Sequence, residues 1–295
     1  MDDTPLYIKS IHIEGLMGEK DLHWDLRQDV NILGGQNGSG KSTILRALYL
    51  LLKGGEALDQ HKCGKLMESM TVVLTNGNVH KWVKGNVYVD QQLASPARPV
   101  VEYVSTFEPM MMDMVSMKQN AEYEVGEQST YLDALVSYEK NRRNEWFSEV
   151  MSSIPQDSQY VLVTNKEGSA MSAYSDMFKT MAEFTKQYAP LQKGKLTFKK
   201  HDVEIDRASL SSGEKMLLYI LLKVTNMQKQ PGILIMDEPD LAMHVEWQKV
   251  LLKSLRELNP NMQLVVCTHA PRMITGWQEC VKEVGQLTTN RAHHE

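Results

Sequence analysis

Near the start of the chain, apolar residues recur at intervals of two in short runs: Leu6 and Ile8, Ile11 and Ile13, then Leu22, Trp24 and Leu26. In "LYIKSIHIEG" (6–15) and "LHWDL" (22–26) this alternation predicts two short antiparallel strands, each with one face turned to a core. The mostly apolar "VNIL" (30–33) predicts a third strand, and it runs straight into the glycine-rich "GGQNGSGKST" (34–43). The period then changes to that of a helix over 42–53, which Gly54 and Gly55 should end. "TVVLTNGNVHKWV" (71–83) alternates again around Asn76-Gly77, a hairpin signal, and "VVEYVSTF" (100–107) predicts another strand before Pro109.

The middle of the chain changes character. Residues 127–150 and 169–189 have helical spacing and are separated by Ser153-Ile154-Pro155. In the second, Met171, Tyr174, Met177, Phe178, Met181, Phe184 and Tyr188 recur at intervals of three and four, as expected of a helix face packed on a core. The run from Met110 to Met112, with Met114, is read as soft packing. After Pro190, "KLTFKKHDVEID" (195–206) predicts a β hairpin. Alternation of helix and strand follows: helix 212–229, strand "ILIM" (233–236), helix 241–258 with Trp247, Leu251, Leu255 and Leu258 on one face, and strand "QLVVCT" (263–268). No internal repeat and no low-complexity tract interrupts this order.

Composition narrows the classes. The 295 residues suffice for a sizeable core, and a net charge of −5, from 32 basic and 37 acidic residues, exerts no global pull on nucleic acid. Cys63, Cys267 and Cys280 are odd in number and scattered, which suits a reducing compartment rather than a disulfide framework. His61 and Cys63 lack a second pair at a ligand spacing, so a zinc site is not expected. The acidic opening "MDDTPLYIKS" lacks the regions of a signal peptide. The longest apolar run, 44–52, contains Arg46 and falls short of the roughly 20 residues of a membrane span. A cytoplasmic location is expected.

Three motifs carry the chemistry. "GQNGSGKS" (35–42) fits G-x-x-x-x-G-K-[ST], the phosphate-binding P-loop, between a predicted strand and a predicted helix. Its backbone N–H groups and the following helix dipole would face phosphate oxygens, Lys41 would reach the β- and γ-phosphates, and Ser42 would ligate Mg²⁺. The candidate nucleotide contacts are Gly35, Asn37, Gly38, Ser39, Gly40, Lys41, Ser42 and Thr43. "ILIMDEPD" (233–240) delivers two adjacent carboxylates at the end of an apolar strand. Such neighbours repel unless a cation is near. In a P-loop ATPase, Asp237 would hold Mg²⁺ through water and Glu238 would orient and deprotonate the attacking water.

The third motif, "LSSGEK" (210–215), joins the P-loop, "DEP" and "CTHAP" (267–271) in an order that resembles the ABC-type ATPases. Ser212 and Glu214, where glycine and glutamine are commoner, and "DEPDLAMHVEWQ" resemble the OLD, RecF and SMC branch rather than transporters. The resemblance implies an ABC-ATPase head: an α/β fold with a mixed P-loop sheet, an antiparallel β subdomain and a short helical insertion between P-loop and signature. The implied division is 1–119 for the N-terminal part of the core, 120–190 for the insertion and 191–295 for the C-terminal part. It also implies ATP and Mg²⁺ as cofactors and a head-to-tail dimer, or a higher oligomer, with ATP sandwiched between subunits. There Ser211 and Gly213 contact the γ-phosphate in trans, His269 is the switch histidine, and Asp240 falls in the loop that crosses the dimer. His244 belongs to the local pattern without assigned chemistry. For the family's Q-loop glutamine, Gln91, Gln92 and Gln119 stay open.

A TOPRIM nuclease domain needs on the order of a hundred further residues and an acidic metal cluster; only a short tail follows His269. The insertion is also too short for coiled-coil arms. The chain thus resembles the ATPase subunits of bacterial anti-phage defence systems of the Septu or PARIS type. That likeness implies a separately encoded effector, a nuclease or TOPRIM-like protein, docked on the helical insertion. Two other readings stand beside it. A RecF-like DNA-binding ATPase of repair or replication would use Lys193, Lys195, Lys199 and Lys200, or Arg142 and Arg143, as phosphate contacts. A transporter's nucleotide-binding subunit would need a separate membrane partner.

Overall fold

The computed structural model describes residues 5–89, 99–105, 187–188, 191–192, 195–196, 198–200, 203–205, 211–227, 230–241 and 243–291. In chain order the elements are β1 (Ile8–Leu16), β2 (Lys20–Asp25), β3 (Val30–Gly34), α1 (Lys41–Leu52), β4 (Ser69–Leu74), β5 (Val79–Val83), β6 (Asn86–Val89) and β7 (Val101–Ser105). Short strands follow at β8 (Gln187–Tyr188), β9 (Leu191–Gln192), β10 (Lys195–Leu196), β11 (Phe198–Lys200) and β12 (Val203–Ile205). The last stretch contains α2 (Ser212–Asn226), β13 (Gly232–Asp237), α3 (Val245–Leu258), β14 (Met262–Cys267), α4 (Pro271–Ile274), β15 (Val281–Glu283), α5 (Val284–Leu287) and β16 (Thr288–Asn290). The chain divides into two units: 1–106 with 230–239 and 261–295, and 107–229 with 240–260.

The first unit contains two sheets. A parallel sheet has the order β15-β3-β14-β13-β7, and every residue of β3, β13 and β14 is buried, as expected of parallel strands covered on both faces. An antiparallel sheet has the order β16-β2-β1-β4-β5-β6. In β1 and β2 the buried positions alternate, with Ile11, Ile13, Leu22 and Trp24 inward. Helix α1 ends in a Schellman arrangement: the Gly55 N–H donates to the Leu50 carbonyl (2.8 Å) and the Gly54 N–H to that of Leu51 (3.1 Å).

Gln263, fully buried on β14, ties the two sheets together. Its Oε1 accepts from the Ile8 N–H (2.8 Å), and its Nε2 donates to the carbonyls of Ile8 (2.8 Å) and Arg27 (2.7 Å). Replacing it by leucine removes the side-chain partner of the Ile8 N–H and of the Ile8 carbonyl, at about 1–3 kcal/mol for each group left unsatisfied, while the Arg27 carbonyl still accepts from Asn31 Nδ2 (2.8 Å). Gln263→Leu is therefore expected to lower unfolding stability by at least about 2 kcal/mol, read from the midpoint of urea denaturation. A loss below about 1 kcal/mol would mean that the clamp is dispensable.

In the second unit, β11 pairs antiparallel with β12 (Phe198↔Ile205), as the alternation over 195–206 predicts, while β10 pairs with β9. Two expectations need correction. The helix predicted through 189 does not include Gln187 and Tyr188, whose backbones pair with Lys200 and Lys199 of β11. The helix predicted from 241 starts at Val245, because the chain first makes a turn closed by Met243 N–H to the Asp240 carbonyl (2.9 Å). His244 then caps the helix in an extended conformation, its Nδ1 accepting from the Glu246 N–H (3.3 Å). Trp247, Leu251, Leu255 and Leu258 form the buried face of α3, as their spacing predicts. Most of the predicted helices at 127–150 and 169–189 lies outside the described residues. Among the described residues, no helix is long and apolar enough to cross a membrane.

Candidate nucleotide and metal site

The P-loop connects the end of β3 to the start of α1. Gly35 has φ 144°, and a Cβ there would lie 2.8 Å from Ser39 Oγ, so the close turn of the loop needs glycine. Gly40 has φ 96° and accepts at its carbonyl from the Ile44 N–H (2.8 Å), starting the helix from a left-handed residue. Lys41, 5% exposed, curls back into the loop and donates from Nζ to the carbonyls of Gly35 (2.9 Å) and Gln36 (3.1 Å). Ser39 Oγ is buried without a hydrogen-bond partner. A buried hydroxyl lacking a partner, an ammonium held at the loop and a helix N-terminus form a donor set that fits an anionic phosphate chain.

The acidic end of the site lies on β13. Asp237 closes that strand and is 4% exposed. Its Oδ1 accepts from Ser42 Oγ (2.9 Å) and from Cys267 Sγ (2.7 Å), and its Oδ2 accepts from the Tyr103 hydroxyl (3.2 Å). Ser42 and Asp237 are thereby brought together as the sequence expects, and a hydroxyl beside a carboxylate fits a hard divalent cation such as Mg²⁺. Burial, and secondly the Asp237 carboxylate, push the Tyr103 phenol and the Cys267 thiol well above their ordinary ranges, so both keep the protons they donate.

Glu238 follows in a left-handed conformation with φ 49°, an uncommon state for a residue with a side chain. Its N–H donates to the Cys267 carbonyl (3.0 Å), and its Oε1 lies 3.6 Å from Nε2 of His269, beyond ordinary hydrogen-bond length. His269 is 43% exposed and Glu238 19%, so the pair sits at the mouth of the site rather than in the core. The first unit thus gathers Gly35 through Thr43, Asp237, Glu238 and His269 at the C-terminal ends of parallel strands. This is where open α/β sheets bind ligands.

Ser211, Gly213 and Asp240 belong to the second unit. Ser211 and Glu214 form a reciprocal capping box on α2: the Glu214 carboxylate accepts from the Ser211 N–H (2.8 Å), and Ser211 Oγ accepts from the Glu214 N–H (3.3 Å). Glu214 thus completes the cap of its own helix, a part that glutamine could also play. Asp240 is 7% exposed, and its carbonyl accepts from Met243 N–H and Gln248 Nε2. Gln91, Gln92, Gln119, Arg142, Arg143 and Lys193 lie outside the described residues, while Lys195 falls on β10 and Lys199 and Lys200 on β11.

Sequence reasoning missed Tyr103 and Cys267. Cys267 opens the "CTHAP" motif, but a partner for its thiol appears only once Asp237 and Cys267 are paired in register. Tyr103 enters because β7 is the other neighbour of β13, an adjacency that its own stretch does not encode.

A P-loop between strand and helix, a buried carboxylate and an adjacent acid on a parallel sheet, with an antiparallel sheet in the same unit, define an ABC-like P-loop ATPase. The profile of the AAA ATPase domain family (AAA_15) matches residues 6–95 and 106–274, and the chain belongs to that family. Septu protein PtuA of Bacillus thuringiensis is 21% identical over 301 residues, covering 91% of this chain and 73% of that protein. The Retron Vc95 probable ATPase of Vibrio cholerae serotype O1 biovar El Tor is 31% identical over 104 residues. That match covers 31% of this chain and only 20% of the retron protein. The fold is that of SMC heads: a crystal structure of the SmcHead bound to the C-winged helix domain of ScpA matches with a TM-score of 0.58. It is 14% identical, and the match covers 97% of each chain. The chain thus resembles the ATPases of bacterial defence systems.

Proposed function

We propose that this chain is a Mg²⁺-dependent ATPase that closes a head-to-tail dimer around ATP and works as a switch or scaffold for a separately encoded effector, in anti-phage defence. The observation that carries the proposal is the Ser42–Asp237 hydrogen bond of 2.9 Å, which joins the phosphate loop to the acidic strand end beside Glu238 and His269. The loop amides and Lys41 bind and orient the phosphates, and Ser42 and Asp237 would hold the cation. Held there, Mg²⁺ would supply positive charge that neutralises the phosphates. Glu238 takes the proton of the attacking water, and His269 stands beside it as the switch histidine.

In this scheme, α2 presents its N-terminus to the partner subunit's nucleotide. Ser211 Oγ accepts from Glu214 within its own helix and so keeps its O–H to donate across the interface, together with the Gly213 N–H. Asp240 lies in the loop that crosses the dimer. The likeness to Septu PtuA over 91% of this chain supports a defence role, and the effector would be a nuclease or TOPRIM-like protein docked on the insertion at 120–190.

Size-exclusion chromatography with light scattering on Glu238→Gln, with and without ATP and Mg²⁺, tests the closure. The expected result is a monomer that becomes a dimer only when both are present. An oligomer of unchanged size under all conditions would overturn ATP-driven closure.

A further inference from the structure

We propose that Tyr103 and Cys267 are positioning residues that fix the plane of the Asp237 carboxylate for metal binding. This rests on the reading of Ser42 and Asp237 as the metal pair. The terminal torsion of an aspartate is broad, so its rotamer alone does not set which oxygen faces a ligand. Here donors from three elements set it. Ser42, from α1, and Cys267, from β14, share Oδ1, and Tyr103, from β7, takes Oδ2. The two flanking strands thus grip the carboxylate from opposite sides of β13.

Both residues are themselves held. Tyr103 is 1% exposed; the Arg46 guanidinium stands 4.4 Å over its ring and the Tyr49 ring lies 5.3 Å away. Arg46 and Tyr49 are on α1, the helix that also carries Ser42, so the helix sets the hydroxyl at one carboxylate oxygen and braces the phenol at the other. Cys267 is fully buried and opposite Asp237 in the parallel register, and its main-chain carbonyl receives the Glu238 N–H (3.0 Å). One residue therefore orients the metal carboxylate with its side chain and fixes the backbone of the neighbouring acid with its carbonyl.

Groups that orient a metal ligand from behind contribute about 10–100-fold to metal affinity. The test uses the full-length chain and equilibrium dialysis of ATP across a Mn²⁺ series, with parallel ATP binding in EDTA. Tyr103→Phe and Cys267→Val should each raise the half-saturating Mn²⁺ concentration by about 10-fold or more. ATP binding in EDTA should stay within about two-fold, which separates lost orientation from a damaged loop. Cys267→Ser, which restores a donor, should return the wild-type value. Unchanged half-saturation in Tyr103→Phe and Cys267→Val, an equal loss of ATP binding in EDTA, or a Cys267→Ser protein that behaves like Cys267→Val would each overturn the assignment. If the wild-type chain shows no Mn²⁺ dependence at all, the metal pair itself is misassigned and this inference falls with it.

Discussion

Glu238→Gln abolishes ATP turnover and leaves ATP bound: that is the largest effect expected of any single substitution here. General base catalysis contributes typically about 10²–10⁴-fold, and phosphate release should fall by that much. Glutamine keeps the size and planar shape of the side chain, but it exchanges one acceptor oxygen for an amide donor, carries no charge and cannot take a proton. The backbone should hold its place, because the residue's N–H remains bonded to the Cys267 carbonyl and its left-handed φ of 49° is set by the strand end. Such a conformation costs of order 1–3 kcal/mol for a residue with a side chain, and the packed β13–β14 pair sustains it. Turnover within a few-fold of wild type would remove Glu238 as the base.

Lys41→Ala acts one step earlier, on binding. The ammonium rests against the Gly35 and Gln36 carbonyls, with 5% exposure, already inside the loop that would hold the phosphates. A hydrogen bond to a charged group is worth about 1.5–3 kcal/mol, and each 1.4 kcal/mol is tenfold in affinity. Isothermal titration should therefore show ATP affinity weakened by about 10–100-fold, with Lys41→Arg intermediate because a planar guanidinium cannot copy the compact ammonium. An affinity within two-fold of wild type would place the phosphates elsewhere. The two variants separate cleanly: one stops chemistry with ATP retained, the other loses ATP.

Local patterns made much of the site legible. The spacing of Gly35, Gly40, Lys41 and Ser42 is a contiguous signal, and an apolar strand that ends in Asp237-Glu238 is another. The start of α3 was misread for an equally local reason. The predicted helix extends back to Leu241, but Leu241 is 51% exposed, and the turn closed on the Asp240 carbonyl precedes the cap at His244. Tyr103 and Cys267 were illegible for a different reason: their partner is fixed by the lateral order β7-β13-β14, which sequence spacing does not encode. The Gln263 clamp is similar, since a glutamine within an apolar strand gives no sign that its partners are Ile8 and Arg27.

The place of β3 in its sheet also sets a timetable for biosynthesis. Its two neighbours are β14 and β15, so the strand that launches the P-loop pairs only with residues 264–267 and 281–283. At about 5–20 residues per second, those partners leave the ribosome on the order of ten to fifty seconds after β3 itself. Over that interval both edges of β3 stay open, and the loop lacks the scaffold that orders its amides. The nascent chain is thus blind to nucleotide until nearly all of these 295 residues have been made. Pairing this distant in sequence also makes the sheet slow to close.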